Sequence, residues 1–254
     1  MFKKYWKFFV IFWSVVLVGI IGVFVFFWLI SAGKLGFMPT FEELENPNNR
    51  FASEVYFADG PIMNRYFEKE NRKYIEYREI PQSVIDALIA TEDVRFYDHS
   101  GVDVRGLFRV AKGLLTANTS AGGGSTISQQ LAKMLFPRES DLNVFELAIR
   151  KFREWVIAVR LEKSYTKEEI LTMYLNKYDF LNLAVGISSA ADIYFQVPLD
   201  SLKVEQAAML IGMAKNSSYY NPVRRPELTL NRRNVVLSQM YKYDKITREE
   251  CDSL

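Results

Sequence analysis

Apolar residues come first as one unbroken block and afterwards at helical spacing. From Phe8 to Ile30 the chain reads FFVIFWSVVLVGIIGVFVFFWLI, without a charge. About 23 residues at ~1.5 Å rise each span the ~30 Å of a bilayer's hydrocarbon, which predicts one membrane-crossing helix. Trp6, Trp13 and Trp28 lie near its ends, where interfacial aromatics collect. Lys3, Lys4 and Lys7 precede the block, and Glu42, Glu43 and Glu45 follow it. The positive flank places Met1 in the cytoplasm and the chain beyond Ser31 outside. The block is longer than a signal-peptide core and has no small-x-small exit, so a retained anchor is expected.

Beyond the block the pattern changes twice. Residues 34–53 are polar and read as a linker, and EVYFADGPIMNRYF holds two β-prone runs around Asp59-Gly60, predicting a hairpin. From Pro81 the period is helical. PQSVIDALIATEDVRF sets Ile85, Leu88, Ile89 and Phe96 on one face, and STISQQLAKMLF sets Ile127, Leu131 and Leu135 at i+4 steps. A long helix is predicted through Phe145, Ile149, Phe152, Val156 and Val159. TKEEILTMYLN opens with a capping box, Thr166 and Glu169. VEQAAMLIGMAKN is apolar nearly all round, the mark of a central helix. The expected organisation is a cytoplasmic tip and anchor over 1–33, a linker with a short β segment over 34–80, a helical domain over 81–245 and, over 246–254, a tail or the start of a missing downstream region.

Composition narrows the chemistry. With 254 residues the chain can bury one medium-sized core beside its anchor. A net charge of +2 gives no polyanion signal, so no nucleic-acid partner is expected. One cysteine, Cys251, forms no internal disulfide, and one histidine, His99, leaves too few ligands for a His/Cys zinc site.

Three segments could carry chemistry. In IATEDVRFYDHSGVD, Glu92 projects from the apolar side of its helix, at i+4 from Leu88 and i+3 from Ile89. A carboxylate withdrawn from water suits general-base work, yet a helix-end acid that caps or pairs is the commoner case. His99, taken alone, is more often a structural hydrogen-bonder. In GGGSTISQQLAK, glycines run into a helix start carrying Ser125, Thr126 and Ser128, with Gln129, Gln130 and Lys133 behind them. Such a start offers free N–H groups to an anion, although glycine before a helix is common and no Gly-Lys-Ser/Thr follows. In RKFRE, Arg150, Lys151 and Glu154 are spaced either for intrahelical salt bridges or to present cations to a diphosphate. Ser-x-x-Lys occurs at Ser31–Lys34 and Ser164–Lys167, but no Ser-x-Asn or Lys-Thr-Gly follows, so an acylating serine is not expected.

Taken in order, these segments resemble the family 51 peptidoglycan glycosyltransferases. Glu92, Asp93, Phe96, His99 and Gly101 match its first motif, and Gly123 to Lys133 its second. Arg150, Lys151 and Glu154 match Arg-Lys-x-x-Glu, Lys167 to Asn176 the fourth motif, and VEQAAMLIGMAKNSSYYNP with RRNVVLSQM the fifth. The match runs roughly from Pro81 to Met240. It departs at Met134, where an Asn is common, and at KYDFLNLAVGISSAA, where the family is glycine-rich. The stretch before Pro81 is similar to the start of class A penicillin-binding proteins, whose downstream transpeptidase domain this chain lacks.

The resemblance implies a mainly α, lysozyme-like domain with a membrane-proximal jaw. It implies polymerisation of lipid II by inverting transfer, with Glu92 and Glu154 as the catalytic carboxylates. It assigns substrate binding to Asp93, Phe96, His99, Gly123, Ser125, Thr126, Gln129, Gln130, Lys133, Arg150, Lys151 and Asn176. No cofactor is required, metal ligands are unknown, and a magnesium or manganese ion at the diphosphate is admitted. Expected partners are lipid II, the nascent glycan strand and the bacterial inner membrane, crossed once, with room for cell-wall synthesis or division proteins. A stretch from Arg105 to Leu115, RGLFRVAKGLL, reads equally as a helix dipping into the interface and as a core helix. Two other readings stand beside this one: a lysozyme-like glycan-cleaving enzyme, and an inactive membrane-anchored scaffold.

Overall fold

The computed structural model describes residues 2–36, 38–40, 53–56, 62–66, 71–116, 123–135 and 143–254. The apolar block lies within α1 (Phe2–Ser31), whose membrane-length window is 0% buried, unlike a soluble core helix. Two strands, β1 (Ser53–Tyr56) and β2 (Ile62–Tyr66), pair antiparallel. The turn predicted at Asp59-Gly60 and most of the predicted linker lie outside the described residues. A short β3 (Asn71–Arg72) runs parallel to β4 (Ala184–Val185). The rest is helical, as the periodicity predicts: α2 (Gln82–Glu92), α3 (Val104–Leu115), α4 (Ile127–Leu135), α5 (Val144–Ser164), α6 (Lys167–Lys177), α7 (Ile187–Phe195), α8 (Val204–Met213), α9 (Pro226–Lys242) and α10 (Arg248–Ser253).

Local chemistry starts these helices. Thr166 accepts from the Glu169 N–H while Glu169 accepts from the Thr166 N–H at 2.7 Å, closing the predicted capping box of α6. Asn143 and Glu146 do the same for α5, and Pro226 opens α9, where its missing N–H costs nothing. The apolar α8 buries Ala207, Ala208, Leu210, Ile211 and Met213 and packs against α2 and α9. Its alanines let the neighbouring backbones approach closely. On the other side α4 packs against α5 and α6.

The apolar positions of α5 do not all face the core. The core receives Arg153, Ile157, Ala158 and Leu161, while Phe145 is 72% exposed. Phe152 meets the anchor, its ring 5.3 Å from Phe26 and 5.7 Å from Phe27, both edge-on. Arg160 adds a polar latch, donating to the Ser31 carbonyl at 2.8 Å and the Pro39 carbonyl at 3.0 Å. A cation there also suits the negative end of α1. Periodicity revealed an apolar stripe, but not that its partner is the anchor.

The segment after Phe180 holds unusual backbone. Leu181, Asn182 and Leu183 have φ of 64°, 52° and 68°, three successive left-handed residues at positions where glycine costs least. The Leu181 carbonyl accepts from the Ala184 N–H at 2.8 Å, and Tyr194 accepts from Asn182 at 3.1 Å, which holds the turn closed. Leu183 is 56% exposed, so its side chain returns little packing energy. Leu183→Gly is expected to raise stability by about 0.5–1 kcal/mol, read as a higher thermal midpoint with unchanged helical circular dichroism.

Candidate active site

Glu92 ends α2 at the point where four helices meet. Its Oε2 accepts from Gln130 Nε2 of α4 at 3.0 Å, and its Oε1 from Arg232 Nη2 of α9 at 3.2 Å. Gln130 is itself oriented by α6, because the Tyr174 hydroxyl donates to its Oε1 at 3.1 Å. Burial pushes the Tyr174 hydroxyl well above its usual range and the charge of Glu92 adds to the effect, so Tyr174 stays a donor at neutral pH. Tyr178, which also lines the cleft, is pushed up to about 12, chiefly by burial, against an opposing hydrogen bond with Ser217.

Asp93 turns away from Glu92 and holds the segment together. His99 Nε2 approaches its two oxygens at 3.1 and 3.0 Å, and the Ile127 N–H at the start of α4 donates at 3.0 Å. His99 Nδ1 accepts from the Gly101 N–H at 3.2 Å. That bond puts the ring proton on Nε2, where it donates to Asp93. The Gly101 carbonyl accepts from Thr126 at 2.7 Å and from Gln129 at 3.2 Å. Gly101 has φ +94°, and a Cβ there would stand 2.7 Å from the Ala158 backbone carbon. Only glycine lets this loop lie against α5. Beneath it, Lys167 donates to the His99 carbonyl at 2.7 Å and pairs with the buried Glu162.

A cleft of about 830 Å³ opens over Glu92. Gly123, Ser125, Thr126 and Lys133 line one side, and Lys215, Arg232 and Lys242 lie along the C-terminal part of the chain. Its cations, Arg109, Lys133, Lys215, Arg232 and Lys242, outnumber its carboxylates, Glu92, Asp93 and Asp103. Asp93 is engaged by His99, and Asp103 is bound by Arg95. Burial raises the Asp103 pKa, but Arg95 and the Gly106 N–H outweigh it and hold this carboxyl below its usual range. The charge left over is positive, which suits an anionic ligand.

Several predicted site residues stand elsewhere. Glu154 is not among the cleft-lining side chains; it pairs with Lys151 at 3.1 Å and Lys133 at 3.7 Å. Its carboxylate is thereby taken up by lysines, which does not fit a resident divalent cation. Among the described residues no group of three His, Cys, Asp or Glu is placed to hold a metal ion. Lys151 also donates to Ser125 at 2.8 Å and Gln129 at 3.3 Å, tying α5 to the helix start. Arg150 is half-buried and outside the cleft lining. Three residues expected to bind substrate are taken up in packing and internal hydrogen bonds. Phe96 is 0% exposed and packs in the core beside Lys167. Gln129 is buried and spends its amide on Gly101 and Lys151. Asn176 bonds both the N–H and the carbonyl of Ile75, at 3.0 and 2.9 Å, pinning the chain before α2 to α6.

Fold and cleft together describe a helical domain on a membrane-length helix, with one carboxylate set among cations. The family model for the transglycosylase domain matches residues 59–241, and the chain belongs to that family, the peptidoglycan glycosyltransferases. It is 37% identical over 215 residues to penicillin-binding protein 1A of Escherichia coli, an alignment covering 85% of this chain and 25% of that protein. Against penicillin-binding protein 1A of Haemophilus influenzae it is 37% identical over 225 residues, 89% of this chain and 25% of the other. A crystal structure of the Haemophilus influenzae protein superposes with TM-score 0.45 at 23% identity, covering 81% of this chain and 20% of that one. The chain thus spans about a quarter of the length of the curated relatives it matches.

Proposed function

We propose that this chain polymerises lipid II at the outer face of the bacterial inner membrane, with its N-terminus in the cytoplasm. Glu92 takes the proton from the 4-hydroxyl of the acceptor GlcNAc as that oxygen attacks the donor's anomeric carbon. The bond from that carbon to the diphosphate oxygen breaks on the opposite face, the configuration inverts, and undecaprenyl diphosphate leaves with the electron pair. Lys133 and Lys151, with Arg150 beside it in the chain, offset the charge that develops on the leaving group. Glu154 orients the two lysines, and Asp93 with His99 positions the Glu92 segment. Ser125, Thr126 and the Gly123 backbone line the donor side.

The observation that carries this reading is Glu92 in a cleft whose cations outnumber its carboxylates: a glycan-cleaving enzyme acting on a neutral bond needs no such field. The anchor supports it, because a polyprenyl-linked substrate stays in the bilayer. So do the apolar side chains turned outward nearby, Val104 and Phe108 on α3 and Val144 and Phe145 on α5, exposed by 57%, 72%, 85% and 72%. Purified protein given labelled lipid II is expected to yield glycan that lengthens with time on a sizing gel. Shortening of preformed glycan instead would favour the cleaving enzyme, and no change in either would favour the scaffold.

A further inference from the structure

The two donors on Glu92 come from different parts of the fold, and each is braced from behind. Gln130 is set by Tyr174. Arg232 donates through Nε to the Gly212 carbonyl at 3.3 Å, and its guanidinium lies 5.8 Å from the centre of the Tyr220 ring. Gly212 makes the room: a Cβ there would stand 3.1 Å from Arg232 Cγ. The side chains of Arg232 and Glu92 are only 11% and 13% exposed, so solvent screens the pair weakly.

We propose that Arg232 is a positioning residue for Glu92, acting with Gln130 to fix the plane of its carboxylate. An ionised carboxylate offers about four lone pairs. One on each oxygen is engaged, by Gln130 and by Arg232, which turns the remaining pair on each toward the cleft. The planar fork of arginine reaches a backbone carbonyl and a carboxylate at once; the point charge of lysine cannot reproduce both bonds. Arg232 stands on α9, apart from Lys133 and Lys151, so its role differs from offsetting charge on a leaving diphosphate. The inference rests on reading Glu92 as the base.

Two measurements test it together. The first is the thermal midpoint of wild type, Glu92→Gln, Arg232→Gln and the double variant, which needs no activity. The losses are expected to be non-additive, the double variant losing about as much as the worse single one. The second is the kinetics on lipid II. Arg232→Gln is expected to lower kcat by about 10–100-fold with KM within about threefold, and Arg232→Lys to recover part of the loss. Additive midpoint losses would overturn the pairing. A KM that rises while kcat holds would overturn the positioning role and make Arg232 a substrate contact. If wild type makes no polymer, the functional reading falls, and the midpoint cycle still decides whether Arg232 and Glu92 act as one unit.

Discussion

Glu92→Gln is expected to lower the rate of glycan polymerisation by about 10²–10⁴-fold, the range a general base contributes, while leaving the protein folded. Glutamine is nearly isosteric with glutamate, so the end of α2 keeps its shape. The amide differs in presenting one oxygen and one NH₂ where the carboxylate presented two acceptors. Gln130 Nε2 stands 3.0 Å from one position and Arg232 Nη2 3.2 Å from the other, so the new NH₂ must face a donor. Gln130 can flip to relieve this only by giving up the hydrogen bond that Tyr174 donates to its oxygen. A stability loss of about 1–3 kcal/mol follows from one unmet donor pair, visible as a lower thermal midpoint. Binding of lipid II, measured separately, is expected to change much less than turnover. Polymerisation at the wild-type rate would remove Glu92 from the role of base.

How much of this was readable from the chain alone depends on how far apart the partners lie. Helix starts are local, and the Thr166–Glu169 box was visible as a short pattern. The acidic segment at Glu92 was visible as a carboxylate on an apolar face. Its environment was not. Arg232 lies 140 residues away in the chain, and the arginine pair of RRNVVLSQM gave no sign of which side chain would reach back. Tyr174 sits in a helix read for its cap and as the fourth motif, neither of which singled it out. Motif membership did not show that Phe96, Gln129 and Asn176 are buried, because a motif preserves scaffold and site together. Their buried positions follow from packing that no short window contains. The apolar stripe of α5 is a related case: spacing tells that a face is apolar, and only the fold tells whether core or anchor covers it.

Asp93→Asn is expected to damage both stability and turnover, through proton positions rather than shape. The Asp93 side chain is 4% exposed and accepts from His99 Nε2 and from the Ile127 N–H. Asparagine can keep its oxygen in the position that accepts from both Ile127 and His99 Nε2, but its NH₂ then stands 3.1 Å from the same Nε2–H. Moving that proton to Nδ1 would meet the Gly101 N–H, which already donates there. Either arrangement leaves a buried donor against a donor, and a hydrogen bond to a charged group is lost as well. The cost is about 2–4 kcal/mol, seen as a lower denaturation midpoint. Since the same contact joins the segment after Glu92 to the start of α4, the carboxylate should lose its alignment with Gln130. A fall in kcat of about 10-fold or more, with little change in lipid II affinity, is therefore expected in the molecules that remain folded. An Asp93→Asn protein with a wild-type midpoint and kcat would mean that the His99 bridge does not set the position of Glu92.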